Sequence, residues 1–158
     1  MLIAVQPLDS QLKQQPRETL ERLAAHGADA VEIRIDCDTT FASNTAALAD
    51  AVAAIIAQSP LPLIATVRRQ QDGGRWTAGE PERLELLSRA AKAGANRVDL
   101  EFGVDLPRPL PATCSVIRSL HIKPGSGESA LDTAGLKDLV ERHMNGAACG
   151  KVVMPALT

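Results

Sequence analysis

The feature that most constrains the fold is a repeated unit in which a glycine-alanine turn leads into a strand with charges at alternate positions. Residues 26–34 read HGADAVEIR and residues 93–101 read AGANRVDLE, while a looser copy begins at Gly146. Each of the first two copies follows a stretch whose apolar residues have helical spacing. The repeated unit is therefore a helix, a turn and a strand. Repetition of such units indicates an α/β protein with a parallel sheet.

The same spacing arguments predict strands and helices along the rest of the chain. The predicted strands are residues 2–5, 30–35, 63–67, 97–102, 114–120 and 151–154, and the predicted helices are residues 17–26, 45–57, 81–93 and 131–144. The connection before the fifth strand contains Pro107, Pro109 and Pro111, which a regular helix does not accommodate. We therefore expect this crossover to lack its helix or to retain only a turn.

Charged residues inside the predicted strands indicate a functional site. Because side chains alternate between the two faces of a strand, Glu32 and Arg34 share one face, as do Asp99 and Glu101. Strands of a parallel sheet covered by helices are usually almost entirely apolar. Charges that point into a barrel near the strand ends are typical of site residues. An antiparallel sheet with one solvated face is the alternative, although hairpin turn signals are absent.

Composition excludes several classes of function. The chain has 158 residues, a net charge of −2 and 2% aromatic residues, which predicts one domain over residues 1–158 and no nucleic-acid partner. No apolar run approaches the roughly 20 residues that span a bilayer, and the N-terminus lacks the features of a signal peptide. Cys37, Cys114 and Cys149 have no disulfide or zinc spacing, which favours reduced thiols and a cytoplasmic location.

Reactive side chains stand at the ends of several predicted strands. They are Glu32 and Arg34 at the second strand, Arg68 and Asp72 after the third, His121 after the fifth and Lys151 at the sixth. The carboxyl ends of parallel barrel strands meet at one mouth. We therefore expect these side chains to face a common site.

The segments around these residues resemble the type I 3-dehydroquinate dehydratase family. They are EIRID (32–36), PLIATVRRQQDGG (62–74), VDLE (98–101), SLH (119–121) and KVVMPA (151–156), in the family's order. The resemblance covers almost the whole chain and implies a (β/α)8 TIM barrel of which about six strands are present. It also implies conversion of 3-dehydroquinate to 3-dehydroshikimate and water, a shikimate-pathway reaction that uses no metal and no cofactor.

The resemblance also implies catalytic roles. Lys151 would form an imine with the substrate ketone, which requires a neutral amine, and His121 would act as general base and acid. Asp72 stands where the family usually has Glu, the residue that orients and polarises the histidine. Without the resemblance, the same residues would also suit a solvent-facing lysine, a structural histidine and a plain surface turn at residues 72–74.

Substrate binding is implied for another group of residues. Arg34 and Arg68 would bind the polyhydroxylated ring acid through charged hydrogen bonds, and Glu32 would hold its hydroxyl groups. Asp99 and Glu101 would contact these substrate-binding side chains without contacting the substrate. The glycine-rich residues 70–79 are predicted to form a mobile loop at the site.

The chain departs from the family pattern in two further respects. Ile122 and Lys123 follow the histidine where the family usually has Asp-Phe. A full barrel has eight strands in about 250 residues, so we expect these 158 residues to lack the family's seventh and eighth strands and the substrate-binding residues on them. We expect the chain alone to turn over more slowly than the roughly 1–10³ per second of typical enzymes. A partner chain, as in a homodimer, is one way to close the barrel.

Other functions share parts of this pattern. Another Schiff-base lyase or aldolase on the same fold would share Lys151 without requiring Glu32, Arg34 and Arg68. An inactive fragment or binding module of the same family would bind ligand without forming a covalent adduct. The chain also suits one domain of a longer polypeptide that carries a later enzyme of the shikimate pathway.

Overall fold

The computed structural model describes residues 1–38, 44–122, 132–144 and 147–153. The strands are β1 (Ile3–Pro7), β2 (Ala30–Arg34), β3 (Leu63–Thr66), β4 (Arg97–Glu101), β5 (Ser115–His121) and β6 (Cys149–Val153). The α-helices are α1 (Ser10–Gln14), α2 (Pro16–Ala25), α3 (Thr45–Ala57), α4 (Glu80–Lys92) and α5 (Thr133–His143). Short 3-10 helices follow β2 at Ile35–Cys37 and β3 at Gln70–Asp72. None of the helices described here is both long and apolar enough to cross a bilayer.

The strands form one sheet in the order β1-β2-β3-β4-β5-β6, and every neighbouring pair is parallel. Parallel neighbours need long connections between them, and the helices supply most of these. The sheet curls into a half-barrel, which confirms the prediction of an incomplete barrel of the TIM type. The alternative of an antiparallel sheet is wrong, because after each strand the chain crosses back to the same end of the sheet and the next strand runs in the same direction.

The hydrophobic core lies between the outer face of the sheet and the helices that cover it. Alternate strand residues meet the apolar faces of α2, α3 and α4, and the buried contacts come from Val31, Ile33, Leu63, Ala65, Val98 and Leu100 on the sheet and from Leu20, Val52, Ile55, Leu86, Leu87 and Ala90 on the helices. Because this face takes the apolar half of each strand, the other half is left for the concave inner face.

Helix α1 was absent from the sequence prediction. It begins after Asp9, whose carboxylate accepts a hydrogen bond from the backbone N–H of Leu12 at 2.8 Å. Leu12 is fully buried and fixes the helix to the core. A helix of this length spans too few residues to show apolar periodicity, so its cap is the signal that could have revealed it.

The crossover between β4 and β5 lacks a helix, as the prolines predicted. Its loop covers the outer face of β5, with Leu106 and Leu110 packed against the core. Arg118 lies on that outer face beneath the loop, and its guanidinium group donates to the Val104 carbonyl and to the Asp105 carboxylate. The loop therefore replaces the missing helix by covering the strand and by pairing with its one outward charge.

The three cysteines form no disulfide bond in this structure. Cys114 is buried beside the start of β5, Cys37 is partly exposed and Cys149 is exposed. Burial raises the pKa of the Cys114 thiol to about 11, which keeps this side chain protonated and unreactive at neutral pH.

Candidate active site

Polar side chains collect on the concave inner face of the half-barrel. The strand register aligns Thr66 with Asp99, and it aligns Ser119 with both Glu101 and Lys151. These are alternate positions of their strands, so the pleat directs all of them to the same face. Each of the strand residues other than the lysine is buried. Buried charges are costly unless they are paired, and each charge on this face has a partner.

Lys151 reaches from β6 across the inner face. Its Nζ lies 2.8 Å from Oε2 of Glu32 and 3.2 Å from Oδ2 of Asp99. The other carboxylate oxygen of Glu32 accepts a hydrogen bond from the Thr66 hydroxyl at 2.9 Å, which fixes that carboxylate in place. The lysine side chain is 31% exposed, so it remains accessible from solvent while two carboxylates hold its amine.

Arg68 occupies the centre of a buried charge network. Its Nη1 donates to Oε1 of Glu101 at 2.9 Å and to the Ser119 hydroxyl at 2.8 Å. Its Nη2 lies 2.8 Å from Oδ1 of Asp99, to which Ser119 also donates. The side chain is 2% exposed, and both terminal nitrogens have internal partners. In this arrangement Arg68 holds the carboxylates of Asp99 and Glu101 in place. A direct contact between Arg68 and substrate stays a prediction.

Arg83 extends this network from helix α4 and was missed by the sequence reasoning. It is fully buried, and its Nη1 donates to the Val67 carbonyl at 2.8 Å. Its Nη2 lies 3.0 Å from Oε2 of Glu101, while Nε and Nη2 also donate to the Glu80 carboxylate. A signal was present, because Arg83 precedes Leu86 and Leu87 by three and four residues and so lies on the apolar face of the helix.

His121 ends β5 at the next inward position after Ser119. Its Nε2 is buried and has no hydrogen-bond partner among the described residues. Burial lowers the pKa of His121 to about 4, the charges of Arg68 and Lys151 add to this effect, and the charges of Asp99 and Asp72 oppose it. The imidazole is therefore neutral at neutral pH, which is the form that accepts a proton.

Asp72 makes its hydrogen bond to Arg69. The Nε of Arg69 donates to Oδ2 of Asp72 at 2.7 Å, and the same nitrogen lies 3.8 Å from Oε2 of Glu101. The Asp72 carboxylate acts on His121 through its charge, which raises the histidine pKa slightly against the larger effects that lower it. The predicted role of Asp72 in orienting the histidine stays a prediction.

The segment after β3 is anchored at several points. The indole of Trp76 is buried and donates to the Gly79 carbonyl at 3.1 Å. Gly73 has a positive φ of 80°, and a Cβ atom at Gly74 would lie 2.1 Å from the Arg68 carbonyl oxygen. The predicted mobile loop therefore has a defined conformation in this structure. Its glycines permit a tight turn and a close backbone approach.

Arg34 pairs with Asp36 immediately beyond β2. Its Nε and Nη2 donate to the two carboxylate oxygens at 2.9 and 2.7 Å. The arginine side chain is 25% exposed, whereas the aspartate side chain is inaccessible. Arg34 thus stands closer to solvent than Arg68, with its guanidinium plane fixed by a buried anion.

Within the described ranges, no group of three or more His, Cys, Asp and Glu side chains could hold a metal ion. The inner carboxylates are instead engaged with cations, since Glu32 and Asp99 contact Lys151 and Glu101 contacts Arg68. The expectation that the reaction uses neither metal nor cofactor stays a prediction.

Related proteins place this constellation in a family. The chain matches the family described as type I 3-dehydroquinase over residues 5–156. A 3-dehydroquinate dehydratase of Methanococcoides burtonii is 33% identical over 149 residues, which cover 91% of this chain and 63% of that protein. A chloroplastic bifunctional 3-dehydroquinate dehydratase/shikimate dehydrogenase of Arabidopsis thaliana is 39% identical over 87 residues, covering 54% of this chain and 14% of that protein.

Solved structures agree in fold. A type I 3-dehydroquinate dehydratase of Clostridium difficile, with covalently modified comenic acid, matches 99% of this chain and 64% of its own with a TM-score of 0.70 at 18% identity. The 3-dehydroquinate dehydratase of Geobacillus kaustophilus matches 99% of this chain and 63% of its own, with a TM-score of 0.67 at 20% identity. The chain thus spans less than two thirds of these proteins. Because the family match extends over residues 5–156 of the 158 residues in this chain, the chain belongs to the type I 3-dehydroquinase family.

Proposed function

We propose that this chain is a lyase that removes water from 3-dehydroquinate through an imine on Lys151. The observation that carries the proposal is the position of the Lys151 amine, which lies on the inner face within hydrogen-bond distance of Glu32 and Asp99. A neutral imidazole, His121, lies on the adjacent strand. An amine, a proton acceptor for it and a separate neutral base are the groups that elimination beside a ketone requires.

The first step is removal of a proton from the Lys151 ammonium group, because only the free amine attacks a carbonyl carbon. Glu32 and Asp99 are both within reach, at 2.8 and 3.2 Å. Asp99 already receives hydrogen bonds from cationic Arg68 and from a hydroxyl, whereas the other partner of Glu32 is a neutral hydroxyl. Glu32 is therefore the acceptor that is nearer to the amine and not already paired with an arginine, and it takes this proton in addition to its expected contact with substrate hydroxyl groups.

The amine then adds to the substrate ketone, and the carbinolamine hydroxyl group takes back the proton held by Glu32 and leaves as water, which gives an iminium ion. The iminium carbon withdraws electrons, so His121 takes the proton from the neighbouring carbon and the electron pair forms an enamine. The enamine expels the β-hydroxyl group, which takes a proton from the His121 imidazolium and departs as water. Hydrolysis of the remaining imine releases 3-dehydroshikimate and restores Lys151.

The two arginines have different parts in this proposal. Arg34 is 25% exposed and supplies the cation that binds the substrate carboxylate. Arg68 is almost inaccessible and acts by holding Asp99 and Glu101. Its positive charge, after burial, is the largest influence that lowers the pKa of His121, so it also keeps the base neutral.

Borohydride trapping tests the proposal. The wild-type chain is incubated with 3-dehydroquinate and borohydride, and intact mass followed by peptide mapping locates any reduced adduct. We expect an adduct on Lys151 that is absent from Lys151→Met. Lys137→Met is the matched control, because Lys137 is 76% exposed on α5 and pairs with a surface glutamate, and it should label like wild type.

The outcomes separate the competing functions. A Lys151 adduct together with ultraviolet absorbance of the conjugated product supports the dehydratase. An adduct that forms with other ketone substrates but not with 3-dehydroquinate favours another Schiff-base lyase or aldolase. A folded chain that binds 3-dehydroquinate without any adduct is a binding module or inactive fragment, and the proposal is then wrong.

A further inference from the structure

Asp36 is a fully buried carboxylate that is saturated with hydrogen bonds. Its Oδ1 accepts from Nε of Arg34 at 2.9 Å and from the backbone N–H of Arg68 at 3.0 Å. Its Oδ2 accepts from Nη2 of Arg34 at 2.7 Å and from the backbone N–H of Arg75 at 3.1 Å. A carboxylate accepts about four hydrogen bonds, so Asp36 has no capacity left for a ligand.

These bonds join two parts of the site that are distant in sequence. Arg34 ends β2, whereas Arg68 and Arg75 flank the turn that follows β3. Burial alone would raise the pKa of Asp36, but the hydrogen bonds from these three residues outweigh burial and lower it below its ordinary value. Asp36 is therefore ionised at neutral pH and fixes the geometry of every donor around it.

We infer that Asp36 is a positioning residue for substrate binding, which acts through Arg34 and does not touch the substrate. The carboxylate engages Nε and Nη2 of Arg34 and so sets the plane of the guanidinium group. Nη1 makes no hydrogen bond to the described residues and is the donor left for an anionic ligand. The inference rests on the proposed function, in which Arg34 binds the substrate carboxylate.

The substitution Asp36→Asn tests this role. Asparagine keeps the shape of the side chain but places an NH2 group against donors, so the paired hydrogen bonds to Arg34 are lost. KM for 3-dehydroquinate should rise about 10–100-fold, with a smaller change in kcat, because Lys151 and His121 keep their places. In an Arg34→Met background the same substitution should change KM much less, because the two side chains act as one unit.

Two kinetic results would overturn the inference. One is an equal fold-change in KM in both backgrounds, which would mean that Asp36 acts independently of Arg34. The other is a fall in kcat with KM unchanged, which would place its effect on the chemical step. A rise in KM that occurs in the chain with Arg34 but not in the Arg34→Met chain supports the inference.

Wild-type protein gives a readout that needs neither a variant nor turnover. By NMR, the Nε–H proton of Arg34 should exchange with solvent at least about tenfold more slowly than that of Arg17, whose side chain is 70% exposed. Equal exchange rates would overturn the positioning role. Slow exchange at Arg34 in a chain without turnover or a Lys151 adduct would overturn the proposed function and leave only the pairing of Asp36 with Arg34 supported.

Discussion

Replacing Arg83 with methionine is expected to destabilise the fold strongly. The guanidinium group is inaccessible to solvent, donates to the Val67 carbonyl at 2.8 Å and lies 3.0 Å from the Glu101 carboxylate. Methionine fills much of the same volume but donates no hydrogen bond. The carbonyl and the carboxylate therefore lose a partner in a place that water does not reach.

The magnitude follows from which partners can compensate. Removing one member of a buried ion pair costs about 3–5 kcal/mol, and an unpaired buried carbonyl costs about 1–3 kcal/mol. Glu101 keeps its hydrogen bond from Arg68 at 2.9 Å, and Glu80 is 42% exposed and can turn to water. Because of this compensation we expect a total loss of about 3–5 kcal/mol, a large share of the roughly 5–15 kcal/mol that stabilises a domain.

Arg89→Met is the matched control on the same helix. Arg89 is 39% exposed and pairs with Asp50, which is 75% exposed, and such surface pairs contribute about 0–1 kcal/mol. Urea unfolding followed by circular dichroism gives the free energy of unfolding of wild type and both variants, compared at similar m-values. A loss for Arg83→Met no larger than that for Arg89→Met would refute the assignment of Arg83 to a buried network.

Two further predictions concern His121 and Gly74. The pKa of His121 in the fold is about 4, below the ordinary value of 6.5, so between these values the unfolded chain binds the extra proton and stability falls as pH falls. Urea unfolding across this pH range should therefore show a larger loss for wild type than for His121→Gln, and equal losses would contradict the lowered pKa. Gly74→Ala should unfold at clearly lower urea than Gly73→Ala, because a Cβ at residue 74 would lie 2.1 Å from the Arg68 carbonyl oxygen while one at residue 73 meets nothing within 4 Å. Gly73→Ala should lose only the roughly 1–2 kcal/mol of a left-handed non-glycine residue, and a similar loss in both variants would show that the close approach is not required.

The order of strands and helices was predictable because each element is long enough to show its own period. Helix α3 (Thr45–Ala57) has the predicted bounds, and the charges at alternate positions of β2 and β4 identified the inner face of the sheet. The spacing of apolar residues indicates which face of a helix or strand each residue occupies, but it cannot detect helices shorter than about one or two turns. Helix α1 was missed for that reason.

The candidate site was predictable only where strands build it. Lys151 and Glu32 lie 119 positions apart in sequence, and the parallel register brings them within 2.8 Å of each other. Arg83 was missed because it lies on helix α4, whereas the site residues were predicted from the alternation of charges along the strands. Asp36 was visible in the EIRID segment, but its importance depends on backbone N–H groups of Arg68 and Arg75, which side-chain patterns do not reveal.

The pairing of charges on the inner face makes the availability of the lysine depend on the buried arginine. Asp99 divides its carboxylate between Nη2 of Arg68 at 2.8 Å and Nζ of Lys151 at 3.2 Å. Asp99 thus lies closer to Arg68 than to Lys151, and in the proposed reaction Glu32, at 2.8 Å from Nζ, is the acceptor of the lysine proton. Without Arg68, Asp99 would have Lys151 as its remaining cationic partner in this cluster. In the reaction proposed above, Arg68 therefore acts through Asp99, because it engages a carboxylate that would otherwise pair only with the lysine.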